Sequence, residues 1–360
     1  MSKKRIVIKI GSSSLTSIDG TLSPLKLAKF CHAFAEFKKA GHDLIVVSSG
    51  SVAAGFKEMG YPSRPVTVRA KQAAAAVGQT LLMQQYRFQL TQYGLIPAQV
   101  LLTRHDFRDA EHYKNVSSSL SELLKRGIIP IINENDSTAV EELTFGDNDM
   151  LSALISGVMH ADMLLLMTDI DGLYNKNPLL YPEAKKYKKI TNIDEELFSQ
   201  TDGTTTAVGT GGMRAKLKAA QAAQEMGASV YISTFRESES ILKITEFSGE
   251  GTYIVPDTSR QMKTKKQWIA FHASSKGSIV LDKGASNAIL NEGSSLLHVG
   301  VTDVSGEFST GDVIDAYDEQ GSLIGKGQAH LTAEKLRSVL KNESTASSIV
   351  IHRDQWVPMK

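Results

Sequence analysis

Residues 128–155 of this 360-residue chain, IIPIINENDSTAVEELTFGDNDMLSALI, concentrate the side chains best suited to chemistry. The apolar run from Ile128 to Ile132 has the length and β-branching of a buried parallel strand. It ends in Asn133-Glu134-Asn135-Asp136, and ligands of open α/β sheets bind past the carboxyl ends of strands. A second polar cluster, Gly146-Asp147-Asn148-Asp149, precedes the helix-like run MLSALISGVM. Asp and Asn also cap helices, so a loop and a helix start would explain the same residues without a ligand. Two such clusters in one crossover favour a polar small-molecule site.

Other residues suit phosphate. Lys9 interrupts the strand-like run RIVIKI, residues 5–10, which exits into Gly11-Ser12-Ser13-Ser14. A Gly/Ser turn can present backbone N–H groups to an anion. The lysine is read either as snorkelling from a sheet edge or as an ammonium at a phosphate. A second strand, Leu44–Val47, exits into Ser48-Ser49-Gly50-Ser51, and a third, Met163–Met167, into Thr168-Asp169. Residues 200–213, QTDGTTTAVGTGGM, feed a helix expected from Arg214 to Met226, with Lys216 on its first turn. Such a loop is either a surface linker or, with the helix N-terminus and the lysine, a seat for polyphosphate.

Familiar alternatives fail. There is no G-x-x-x-x-G-K-[ST], no zinc-spaced His/Cys set and no G-x-S-x-G elbow. Gly209-Thr210-Gly211-Gly212-Met213-Arg214 has Arg214 where a dinucleotide fingerprint needs its third glycine. What remains suits phosphoryl transfer by positioning and charge neutralisation. A carboxylate acceptor, with a pKa of about 4.3, would need no general base, in keeping with the lack of a candidate histidine.

The elements that must position these residues alternate. Ser23 is an N-cap with Pro24 at the first helical position; Leu27, Phe30, Phe34 and Phe37 keep helical spacing, and Gly41 ends the run. Helices are expected over 70–93 and 111–126, and strands at Ala98–Leu102, 128–132 and Val230–Ser233. This alternation predicts an α/β fold, a three-layer, open, mostly parallel sheet. Past residue 250 the pattern changes. Residues 256–268 are polar and basic without periodicity, and short β-like pieces follow at Gly277–Leu281, Leu296–Gly300, Asp312–Tyr317, Leu323–Gln328 and Ile349–His352. We expect domains at 1–252 and 275–360, the second small and β-rich, joined by a linker at 253–274.

Composition is that of a globular protein, 41% hydrophobic and 22% charged, and the net charge of +1 argues against a strongly electrostatic nucleic-acid binder. A single cysteine, Cys31, excludes an intrachain disulfide. Lys9 breaks the N-terminal apolar run below signal-peptide length, and no stretch approaches the ~18–20 apolar residues of a membrane span. The expectation is a soluble, cytoplasmic protein without membrane contact.

Taken together, Lys9-Ile10-Gly11-Ser12-Ser13, Val47-Ser48-Ser49-Gly50-Ser51, Asn133-Glu134-Asn135-Asp136, Gly146-Asp147-Asn148-Asp149, Thr168-Asp169 with Gly172-Leu173-Tyr174, and Gly209-Thr210-Gly211-Gly212-Met213 with Lys216 resemble the glutamate 5-kinases, a branch of the amino acid kinase family. The resemblance runs in order through residues 5–250; sister kinases share the lysines but not this pairing of polar clusters. Gly277 to Gly284, Gly293-Ser294-Ser295-Leu296-Leu297 and Gly306-Glu307-Phe308 to Gly311-Asp312 resemble a PUA domain, which implies a small β-barrel. The resemblance implies ATP-dependent phosphorylation of the side-chain carboxylate of L-glutamate. Lys9 and Lys216 would sit on the phosphates, and Asp149 would hold both lysines. Ser49, Asp136, Asn148 and Asn133 would bind glutamate, with Asp136 facing its α-ammonium. Gly11, Ser12, Thr168, Asp169, Thr210, Gly211, Gly212, Met213, Arg214, Ala215 and Lys216 would bind nucleotide. Magnesium (Mg2+) would bridge the phosphates, held by phosphate and water. Family members are commonly inhibited by proline and commonly homo-oligomeric, as dimers or tetramers.

Two departures stand out: Ala215 replaces the threonine usual before the loop lysine, and residues 328–348 are shorter and more polar than the usual segment. Other readings are a sister kinase acting on carbamate, N-acetylglutamate, aspartate or a nucleoside monophosphate, and an RNA-binding protein with an inactive kinase domain. The mixed charge of residues 276–360, including Asp303, Glu307, Asp312, Asp315, Asp318 and Glu319, and their few aromatics do not favour RNA.

Overall fold

The structure, a computed structural model, describes residues 2–137, 148–176, 178, 180–200, 212–235, 241–256, 269, 273, 275–341 and 348–359. The chain divides into two compact units, one of residues 1–106 and 111–261, the other of 107–110 and 262–360.

The first unit is built on an eight-stranded sheet: β1 (Arg5–Ile10), β2 (Asp43–Ser48), β3 (Pro97–Leu102), β4 (Ile129–Glu134), β5 (Met163–Met167), β6 (Lys189–Ile190), β7 (Ser229–Ser233) and β8 (Thr252–Ile254). Their order is β3-β4-β2-β1-β5-β7-β8-β6. All pairs are parallel except β7 with β8. The chain builds one side of the sheet from β1 and then crosses to place β5 on its other side, so β1 is the topological switch point where open α/β sheets open a crevice. Register aligns the strand ends there, with Ile10 beside both Ser48 and Met167, and Met167 beside Ser233.

Strand alternation assigns the two faces. Ile6, Ile8 and Ile10 of β1 pack with Leu27, Phe30, Phe34 and Phe37 of the helix Pro24–Lys39 and with Leu82, Tyr86 and Leu90 of the helix Val68–Thr91. Ser23 caps the first of these helices, its hydroxyl accepting from Lys26 N at 3.3 Å. Lys9 therefore points to the opposite layer, which holds the helices Asn148–Val158 and Met213–Glu225.

The strand expected to end at Ile132 continues through Asn133 and Glu134, which pair with Leu101 and Leu102. Both are buried; Asn133 can stay in a sheet because both ends of its amide find partners, as described below. The first sheet also extends to Ile254, past residue 252 where the sequence expects the domain to end, because β8 pairs with β7 and β6. The basic stretch 257–268 lies outside the described residues.

The second unit has a six-stranded sheet with one parallel pair, formed by β9 (Gly277–Leu281), β10 (Leu296–Leu297), β11 (Val301–Gly306), β12 (Val313–Tyr317), β13 (Leu323–Ala329) and β14 (Ile349–Pro358). Its core includes Ile279, Leu281, Ile314, Val350, Ile351 and Trp356. The sequence reading misses β11 and two nine-residue helices, Lys283–Asn291 and Ala333–Lys341. The first helix is nucleated by Asp282, whose carboxylate accepts from Ala285 N at 2.7 Å. Among the described residues no helix is long and apolar enough to cross a membrane.

A short helix, Ser51–Gly55, follows β2 and lies backbone to backbone on the helix Val68–Thr91. A Cβ on Gly78 would sit 1.8 Å from Ser51 O, and one on Gly55 would sit 2.1 Å from Ala74 O. Gly78→Val is expected to cost about 3 kcal/mol or more by overpacking, read as a fall in thermal midpoint. An unchanged midpoint would mean that this approach is not required.

Candidate active site

The helix Asn148–Val158 opens at the carboxyl edge of the sheet and is buried from its first residue. Asp149 occupies its first turn, where the helix dipole favours a carboxylate. One carboxylate oxygen, Oδ1, lies 2.5 Å from Lys9 Nζ, and the other, Oδ2, lies 3.0 Å from Lys216 Nζ. Asp149 is 1% exposed, Lys9 2% and Lys216 9%. Lys9 thus does not snorkel; it lies beneath the crevice. The helix contact that sets this geometry is tight, since a Cβ on Gly157 would meet Met226 Sδ at 2.2 Å.

Two ammonium groups thus share one carboxylate in a site nearly closed to water. The helix Met213–Glu225 adds to it. Its first N–H groups have no intrahelical acceptor, and Gly212 at its N-cap brings no capping side chain. Gly11 follows Lys9 closely enough that a Cβ there would lie 3.7 Å from the Lys9 ammonium. Ser12 opens the single helical turn Ser12–Leu15. The arrangement attracts an anion carrying several charges.

Beside it, consecutive in the chain, stands Asn148. Its Nδ2 donates to Ser49 Oγ at 3.0 Å, Asn133 Oδ1 at 2.9 Å and the Ser48 carbonyl at 3.3 Å. Its Oδ1 is buried with no hydrogen-bond partner among the described residues. Asp136 is half-buried and accepts from Ser51 Oγ at 3.0 Å. Burial raises its pKa above the usual carboxylate value, opposed by the Ser51 hydrogen bond and the charge of Arg64. Gly50, with φ +111°, makes the turn that brings Ser49 and Ser51 to this rim.

Thr168 leaves β5 beside β7, its N–H donating to Ser233 O at 2.9 Å and its hydroxyl to Asp169 Oδ1 at 2.9 Å. Met213, Arg214 and Ala215 form the first turn of their helix, and the Arg214 guanidinium lies 5.7 Å over the Phe198 ring. Thr210 and Gly211, with Gly146 and Asp147, lie outside the described residues. The structure therefore brings Lys9, Lys216, Asp149 and Gly11 into one cluster, and Asn148, Asn133, Ser49 and Asp136 into its neighbour. The sequence reading names Ser51 only as part of its loop, without a role of its own, and gives no sign of Gln79; Gln79 Oε1 accepts from Asn133 Nδ2 at 2.9 Å. No local signal marks Gln79, since the same helix also carries Gln72, Gln84, Gln85 and Gln89.

Residues 4–233 match the amino acid kinase family and residues 277–348 the PUA domain. The chain is 49% identical over 365 residues to "Glutamate 5-kinase 1" of Bacillus subtilis (strain 168), covering 100% of both chains. It is 48% identical over 367 residues to a "Glutamate 5-kinase" of Bacillus cereus (strain G9842), again covering 100% of both. Two solved structures share the fold of the first unit. Carbamate kinase from Giardia lamblia bound to AMP-PNP has a TM-score of 0.52 at 14% identity, covering 71% of this chain and 99% of that one. UMP kinase from Bacillus anthracis has a TM-score of 0.51 at 16% identity, covering 71% and 97%.

Removing the shared carboxylate takes an ion-pair partner from two buried cations. Asp149→Ala is expected to lower the unfolding free energy by about 3–5 kcal/mol, measured by urea denaturation, and adding Lys216→Met should recover part of the loss. A loss below about 1 kcal/mol would show that water, not Asp149, carries the charge balance.

Proposed function

The chain belongs to the amino acid kinase family, in its glutamate 5-kinase branch, and on that premise we propose that it transfers the γ-phosphoryl group of ATP to the side-chain carboxylate of L-glutamate, giving L-glutamyl 5-phosphate for proline biosynthesis. The observation that carries this reading is Asp149 clamping Lys9 and Lys216 directly beside the amide of Asn148. Phosphoryl transfer asks for charge neutralisation and alignment rather than covalent help from the protein. A γ-carboxylate oxygen attacks phosphorus, the bond to the β–γ bridging oxygen breaks, and ADP leaves with that electron pair. The carboxylate is already ionised at neutral pH, so no proton is transferred and no base is required.

In this reading Lys9 and Lys216 face the transferring group, Gly11 and Ser12 offer backbone N–H groups to phosphate, and Thr168, Asp169 and residues 210–216 take the nucleotide. Ser49, Asn133, Asn148 and Asp136 hold glutamate, with the Asp136 carboxylate toward the α-ammonium. Magnesium is assigned to the ATP phosphates and water. Both Asp149 oxygens already face lysines, and among the described residues no group of three or more His, Cys, Asp or Glu side chains could hold a metal. Proline shares the α-ammonium and α-carboxyl groups of glutamate, so we place it at the Ser49–Asp136 region as a competing inhibitor. A cytoplasmic homo-oligomer, dimer or tetramer, completes the proposal; no role for RNA is included.

Trapping the acyl phosphate with hydroxylamine tests the reaction. Product should require both ATP and glutamate, and Lys216→Ala should lower kcat by about 10²–10³-fold or more. Turnover with another acceptor but not with glutamate would remove the substrate assignment, and ATP binding without any turnover would favour a binding protein.

The acceptor site should also respond to pH. Asp136 binds an ammonium only when ionised, and its pKa is raised by burial. KM for glutamate is therefore expected to climb as pH falls through that raised pKa, and Asp136→Asn should flatten the profile while raising KM throughout. An unchanged profile in the variant would place the titrating group elsewhere.

A further inference from the structure

The amide network behind Asn148 has a direction that the backbone fixes. Glu134 N–H can only donate, and it donates to Asn133 Oδ1 at 2.9 Å. Asn133 must then turn Nδ2 the other way, where Gln79 Oε1 accepts it at 2.9 Å. With its oxygen toward Asn148, Asn133 also dictates the next amide. Asn148 Nδ2 is held by Asn133 Oδ1, Ser49 Oγ and the Ser48 carbonyl, the last an acceptor that cannot reverse. Asn148 Oδ1 is what remains, buried and without a donor among the described residues. Gln79 is the far anchor: it sits on the helix Val68–Thr91, half-buried, and its Nε2 donates to Gln99 Oε1 at 3.2 Å on the exposed side.

We infer that Gln79 is a positioning residue for the acceptor amino acid, locking the Asn133 and Asn148 amides so that Asn148 Oδ1 is presented to the substrate's ammonium group. The inference rests on the reading above, in which the acceptor is an amino acid. Asn148 is tied through Ser49, and the Asp136 carboxylate through Ser51, to one loop, so the amide oxygen and the carboxylate make a rim of acceptors. Such a rim matches a group with several donors, which an ammonium is and a carboxylate is not. Without the Gln79 acceptor, Asn133 Nδ2 has no partner at that end among the described residues; a full flip would set it against the Glu134 N–H, so the side chain shifts to find water and loosens the contact that holds Asn148 in place. Gln79 touches neither the substrate nor the phosphates in this arrangement, so its loss acts on binding of the acceptor and not on the chemical step.

Steady-state kinetics on the full chain separates these effects. Gln79→Leu is expected to raise KM for glutamate by about tenfold or more, with kcat and KM for ATP within about twofold of wild type. Gln79→Glu keeps an acceptor for Asn133, and the exposed Gln99 amide can turn to donate to it; its KM for glutamate should stay within about threefold of wild type. Glutarate, which lacks the amino group, supplies a second readout. The wild-type preference for glutamate over glutarate should shrink in Gln79→Leu by the same factor as KM rises. An unchanged KM for glutamate, an equal loss with both acceptors, or failure of Gln79→Glu to restore binding would each overturn the inference. If the wild-type chain does not phosphorylate glutamate at all, the functional reading falls first and takes this inference with it; normal wild-type turnover with inert Gln79 variants sinks the inference alone.

Discussion

Burying one carboxylate between two ammonium groups is costly unless each charge has its partner and each partner is held still. At Asp149 that requirement is met from three directions at once. Lys9 comes from the central strand, Lys216 from the start of a helix more than two hundred residues later in the chain, and the carboxylate itself from the first turn of a third element. None of the three can move without breaking an ion pair in a nearly dry site. Two ammonium groups held in place are also what the proposed polyphosphate ligand needs, so the constraint that threatens folding serves the proposed function.

The fold serves this constraint through backbone proximity. Because β1 is the switch point of the sheet, the strand ends at Ile10, Ser48 and Met167 lie side by side, and loops distant in sequence converge. Close approach of helices then sets distances at the scale of a side chain. Gly157 lets the helix bearing Asp149 settle against Met226, beyond the helix bearing Lys216, and Gly55 with Gly78 lets the Ser51 turn settle onto the Ala-rich helix. From that same helix Gln79 reaches the amides of the neighbouring cluster, so one element supports the acceptor side while another supports the phosphate side.

Much of this was legible in the sequence because the central strands are buried on both faces and read as continuous apolar runs. Polar residues placed at the ends of such runs, at Ser48, Asn133 and Thr168, then stand out. Lys9 was ambiguous: a lone lysine in a strand gives no sign of which face it takes, and only the distant Asp149 decides it. Gln79 was illegible for a related reason, since its role depends on a residue fifty-four positions away in the chain. In the second unit, Lys283–Asn291 and Ala333–Lys341 were missed because nine-residue helices carry too few apolar repeats to be separated from loops. Strand β4 ran past its expected end because hydrogen-bonding partners for Asn133, invisible in a local window, made a polar side chain tolerable in the sheet.

The most direct measurement is a double-mutant cycle on kcat/KM with Asp149→Asn, Lys216→Met and the two combined, each checked for folding by thermal denaturation. If Asp149 acts by holding the lysines, the residues work as a unit. The combined variant should then lose no more than about the worse single variant, a loss of about 10²–10³-fold. Losses that multiply, so that the double variant falls by the product of the two, would mean that Asp149 and Lys216 act independently and that the shared carboxylate is not what organises the site.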